Sequence, residues 1–177
     1  MKKRIIIVFV CILLLIIGVV IISCHKLTKQ KIISSVKNNN EFGEKYVNAL
    51  DQYMKPNSDV KMFMSSATIP NKKELNKFLG TRYVKSVFTR PVLDGVYEDD
   101  YIVIALKNPP KGYTEWGIYY QKDNKMKGFS DFDLEQENII DEDHYSYNGR
   151  TSKYHDRFRY ETERICPNWF FYQEEVW

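Results

Sequence analysis

The sequence predicts an α+β protein: an N-terminal membrane helix followed by one small domain with an antiparallel sheet and one or two helices. Three observations predict it. An unbroken apolar run extends from Ile5 to Ile22, and an amphipathic stretch with helical spacing begins at Glu41. Beyond residue 80, short β-branched and aromatic segments alternate with tight-turn sequences, the pattern of consecutive antiparallel strands. The expected division is an anchor at 1–24, a juxtamembrane connector at 25–40 and one domain at 41–177.

Lys2, Lys3 and Arg4 precede the apolar run, and Ser23-Cys24 closes it. From Ile5 to Cys24 is 20 residues, which at about 1.5 Å per residue spans about 30 Å, the hydrocarbon thickness of a bilayer. Ile5, Leu14 and Ile22 mark its beginning, middle and end. One reading is an uncleaved signal anchor, because a plain secretory signal has an apolar core of only about 7–15 residues. The other starts from Ile21-Ile22-Ser23-Cys24, which resembles a bacterial lipoprotein signal and implies lipidation at Cys24. Both readings leave the chain tethered. The compact N-terminal cations face a thinner set, Lys26, Lys29, Lys31 and Lys37, across the run. That difference places the N-terminus inside and the domain in an extracytoplasmic position.

Charge excludes one class of function. The chain has 26 basic and 23 acidic residues, and Lys2, Lys3 and Arg4 account for the whole excess. The remainder is neutral, without the basic footprint that phosphate contacts demand, so no nucleic acid is expected as a partner. Of the cysteines, Cys11 lies within the apolar run, Cys24 at its exit and Cys166 near the C-terminus. No disulfide framework or cysteine metal cluster follows from that distribution.

Lys26 to Lys37 has the composition to extend a helix for a few turns, but Ser34-Ser35 and Asn38-Asn39-Asn40 compete for backbone hydrogen bonds. Phe42, Tyr46, Val47, Leu50, Tyr53 and Met54 then recur at helical spacing. A short helix is expected over 71–79, with Asn71 as N-cap, Glu74 in a capping-box position and Gly80 as the stop. Val60 to Met64 reads as a strand. Tyr83 to Thr89 reads as another, with Val84 and Phe88 on one face and Tyr83, Lys85 and Val87 on the other. Tyr101 to Leu106 is apolar on both faces, as a central strand is. Glu115–Gln121 and Met126–Leu134 read as a hairpin about Lys122-Asp123-Asn124-Lys125. Arg157 to Glu163 alternates charged with apolar residues, and Cys166-Pro167-Asn168 turns the chain into Trp169-Phe170-Phe171-Tyr172. Phe42, Leu50, Ile104 and Phe158 are expected in the core.

Chemistry-bearing motifs are scarce. Asp143, His144, His155 and Asp156 flank a Tyr/Gly loop, a catalytic possibility of the base-and-orienter kind. The spacing is not that of a zinc site. Asp131, Asp133, Glu135, Glu137 and Glu142 match acidic positions of a calcium loop, but Gln136 stands where its turn requires Gly. No metal and no cofactor is therefore expected. Nucleophile elbows, phosphate loops and dinucleotide fingerprints are absent from the sequence. Thirteen tyrosines offer apolar area with a hydrogen-bonding tip, favoured at interfaces. Tyr145, Tyr147 and Tyr154 stand among Asn148, Gly149, Ser152 and Lys153 and read as exposed loop anchors. The expectation is a non-catalytic binding or accessory domain at the membrane, with a protein or envelope component as partner. The alternative is a small envelope hydrolase using the His144/His155 region.

Overall fold

In a computed structural model, the described residues are Ile12, 27–54, 63–89, 101–126, 139–150 and 157–177. The anchor positions Ile5, Leu14, Ile22 and Cys24 lie outside them. Among the described residues no helix is long and apolar enough to cross a membrane.

Thr28 opens the first helix, its Oγ1 accepting from the Lys31 amide at 3.3 Å. This helix, α1 (Lys29–Asn38), is followed by α2 (Asn40–Met54). A single residue separates them. Asn39 donates from Nδ2 to the Ser35 carbonyl at 2.7 Å, and its own carbonyl accepts from the Gly43 amide at 3.0 Å. One side chain thus closes one helix while its backbone starts the next. The segment expected as a connector therefore belongs to the fold, for Ile32 and Val36 of α1 are fully buried in the core. Asn38 and Asn39 end α1, and the second helix starts at once at Asn40.

The third helix is α3 (Lys72–Phe78). Asn71 precedes it as expected but adopts a left-handed conformation and makes no side-chain cap bond. Gly80 takes φ 62° and stops the helix. Close beside that stop, Ser35 Oγ donates to the Phe78 carbonyl at 2.7 Å and pins α3 to α1. Gly43 of α2 has a packing reason: a Cβ there would lie 2.5 Å from the Phe78 ring and 2.9 Å from Trp169.

Eight strands form one antiparallel sheet: β1 (Phe63–Ser65), β2 (Val84–Thr89), β3 (Tyr101–Leu106), β4 (Glu115–Gln121), β5 (Ile139–Asp141), β6 (His144–Arg150), β7 (Arg157–Cys166) and β8 (Trp169–Val176). Their spatial order is β1-β2-β3-β4-β8-β7-β6-β5. The expected hairpin after β4 does not form on that strand, because β3 and β8 occupy its two edges; residues 127–134 lie outside the described set. Instead β7 and β8 form the hairpin, with Asn168 at φ 66° in its turn.

Strand alternation divides the core into two layers. On β8, Trp169 and Phe171 join the helices, whereas Phe170 and Tyr172 join a cluster on the opposite face with Val103, Tyr119, Tyr145, Phe158 and Tyr160. Each large side chain so buried contributes about 1.5–3 kcal/mol. A register shift between Val84 and Ser86 puts Val84 and Val87 together on the helix side. That bulge overrides the alternation expected for β2. Leu50, Ile104 and Phe158 are core as expected, but Phe42 is 36% exposed, turned outward by the helix that Gly43 brings against the sheet.

Two buried hydroxyls of the second layer, those of Tyr119 and Thr162, are bonded in series. Thr162 Oγ1 donates to the Phe171 carbonyl at 2.9 Å, so the Tyr119 hydroxyl, also 2.9 Å away, donates to Thr162.

Candidate functional site

Most residues singled out from sequence are dispersed. Tyr145 is fully buried in β6, its ring 6.2 Å from that of Tyr160. It is not an exposed anchor, because the segment expected as a loop is a strand whose alternation points Tyr145 into the aromatic layer. Tyr147 is half-buried against the same layer, 6.4 Å from the Phe158 ring. Tyr154, His155 and Asp156 lie outside the described residues, as do 131–138 of the acidic run. Asp143 and His144 are adjacent without forming a dyad: Asp143 Oδ1 accepts from Arg164 Nε at 2.5 Å, while His144 is paired across the ladder with Glu163. Among the described residues no group of three His, Cys, Asp or Glu is placed to hold a metal ion. The Cys166 thiol is half-buried and pushed up by that burial, and the charges of Lys37 and Glu44 act on it in opposite senses.

A different constellation is assembled by the strand register. Val84 pairs with Leu106, Glu115 with Glu174, Phe158 with Val176 and Arg150 with Arg157. One end of the sheet therefore gathers the starts of β2, β4 and β7 with the ends of β3, β6 and β8. The helix-side face can be followed toward that end. Lys29 Nζ of α1 lies 2.6 Å from Glu163 and 4.9 Å from the centre of the Phe171 ring. Beyond Lys29 the same face continues through the pairs Glu161–Gln173 and Arg159–Glu175 to Arg157 and Trp177.

Glu161 is the hub. Its Oε1 accepts from the Tyr113 hydroxyl and from Arg159 Nη2, both at 2.7 Å, and its Oε2 accepts from Gln173 Nε2 at 2.5 Å. Burial alone would raise this carboxyl, but the three donors and the Arg159 charge outweigh it and hold it below the usual carboxylate range. Burial, then the bond to Glu161, raises the Tyr113 phenol. The bond to Glu161 also raises Arg159, whose guanidinium lies 4.8 Å from the centre of the Tyr113 ring. Every member keeps its charge state through neutral pH. Such a group presents fixed charge at the surface.

Around the hub the surface is open. The Arg159 side chain is 40% exposed, and Trp177 is 50% exposed. The loop between β3 and β4 is tied down by Trp116 Nε1 donating to the Lys107 carbonyl at 3.0 Å and by the Thr114 amide donating to the Glu174 carbonyl at 2.8 Å. From sequence, one side of β7 packs and the other is charged, with no site indicated. The alternation Arg157-x-Arg159-x-Glu161 and the turn that lays Gln173 beside Glu161 are local signals, but only the long-range register supplies Tyr113, 48 residues away in the chain. Comparison with protein-family models, with curated proteins and with solved structures finds no match to this chain.

Proposed function

We propose that this chain is a membrane-tethered, non-catalytic binding or accessory domain of the cell envelope, and that it binds through the sheet end built around Arg159. The single observation that carries this reading is the clamped guanidinium. Arg159 is stacked on Tyr113 and bonded to Glu161, yet 40% exposed, so a ligand meets an arginine whose conformational freedom is already spent. Tyr, Trp and Arg are the residue types that dominate binding energy at interfaces, and Tyr113, Trp177, Arg157 and Arg159 come together here. The tether is supported by the apolar run from Ile5 to Ile22.

The test is photo-crosslinking in intact membranes, with the full chain carrying a photoreactive residue in place of Arg157, or in place of Ile140 as a control elsewhere on the surface. Adducts specific to position 157, to lipid, glycan or protein, are the expected outcome. Equal or no labelling at the two positions would remove this surface from consideration. The tether itself is read from the same membranes: the chain should survive a carbonate wash, and its release would sink the anchored reading.

A further inference from the structure

Resting on that tethered reading, we infer that the partner of this sheet end is the bilayer itself, specifically an anionic lipid headgroup surface. Three observations converge. First, α1 runs from the Glu163–Phe171 pair, where Lys29 is bound, to the neighbourhood of Cys166, where Lys37 acts on the thiol. Its axis followed backwards therefore heads along the helix-side face toward Trp177, and the apolar run lies up-chain of it. Leu27 already packs against the core. Only two residues stand between Cys24 and Leu27, which at no more than about 3.6 Å per residue holds the fold within roughly 11 Å of the anchor's end.

Second, the composition of this end fits a headgroup region. Tyr83 (38%), Val176 (47%) and Trp177 (50%) are three of the exposed large hydrophobic residues of the described chain. Aromatic residues with a polar tip settle at the membrane–water boundary. Third, the charge is complementary. Arg82, Lys107, Lys111 and Arg157 are exposed there, and none makes an ion pair among the described residues. The described acidic side chains of the same end are engaged or enclosed: Glu161 by Arg159, Glu115 by Lys85 at 3.6 Å, and Glu174 by burial, with Glu175 half-buried opposite Arg159. The opposite end of the sheet exposes Asp123, Asp141 and Glu142 beside Lys122 and Lys125, while Asp143 there is paired with Arg164. The exposed, unpaired cations and the aromatics described at the first end thus lie on the side from which the anchor enters. Cations near an anionic surface and a partly inserted aromatic reinforce one another.

Fluorescence gives a direct readout, because the chain has three tryptophans and two of them, Trp116 and Trp169, are buried. The full chain is reconstituted in vesicles of phosphatidylcholine with phosphatidylglycerol, the lipids carrying a bromine quencher in the upper acyl chain. The expected result is quenching of one emission component, removed by Trp177→Phe and reversed by high salt. In pure phosphatidylcholine that component should escape quenching. Arg157→Gln should lower the docked-to-undocked ratio about fivefold, while an unchanged melting temperature certifies its fold. Chain that is anchored in the vesicles but shows no quenching at Trp177 overturns this inference and leaves the binding reading standing with a soluble partner. Chain that fails to stay with the vesicles at all overturns the tether as well. Quenching equal in the neutral and anionic vesicles and insensitive to Arg157→Gln would show apolar contact alone and refute the headgroup assignment.

Discussion

Glu161 and Gly43 show how much a single position in this fold is asked to do. The folded-state pKa of Glu161 lies below its ordinary value, so its network adds stability that is fully present above the unfolded carboxyl pKa and disappears as pH falls through the folded one. The expected outcome is that wild-type melting temperature falls on acidification below about pH 4.3, and that Glu161→Gln flattens this decline. A parallel pH dependence in the two proteins would show that other carboxylates carry it. Gly43 answers to space. A methyl at 2.5 Å from the Phe78 ring has nowhere to go, since Phe78 is 1% exposed. Gly43→Ala should therefore cost about 1–3 kcal/mol despite the better helix propensity of alanine. Equilibrium denaturation of the two proteins side by side decides it, and a gain in stability would mean that α2 moves off the sheet freely.

At the scale of the element, α1 is the point where local and tertiary signals diverge. Its serines and its terminal asparagines are mediocre helix formers, yet Ile32 and Val36 are entirely excluded from water. Ile32→Ala should destabilise the whole domain by about 2–5 kcal/mol, read as a lower denaturation midpoint; a loss under 1 kcal/mol would mean that α1 is peripheral. Strand β6 makes the converse point. Tyr145→Ala removes a fully buried ring and should cost about 3–5 kcal/mol, whereas Arg157→Gln on the exposed end of β7 should stay within about 0.5 kcal/mol. Comparable losses at the two positions would contradict the layering of the sheet.

At the scale of the molecule, the sheet carries a buried cluster on each face, and these clusters form the core of the described residues. Cys166 is the free thiol of the described residues, and no cluster there suits a metal. The melting temperature is therefore expected to be indifferent to chelator and to reductant; a fall of several degrees with chelator would point to a metal site outside the described residues.

The sequence by itself determined the α+β class, the amphipathic helix from Glu41, the buried strand at Tyr101–Leu106 and the C-terminal alternation, because each is a periodicity written in neighbouring residues. The apolar run at Ile5–Ile22 was equally legible for the same reason. The order of strands was not legible, since β4 pairs with β8 between residues as far apart as Glu115 and Glu174 and nothing local marks the choice. Hence the hairpin after β4 was misplaced, the bulge in β2 was invisible, and Tyr145 was read as an exposed loop residue. The Glu161 hub lay beyond reach on the same grounds: Tyr113, Arg159 and Gln173 are unremarkable apart, and only the register of β4, β8 and β7 brings them to one carboxylate. Local patterning specifies which face of an element is apolar; which elements share that face is decided by the long-range pairing that buries it.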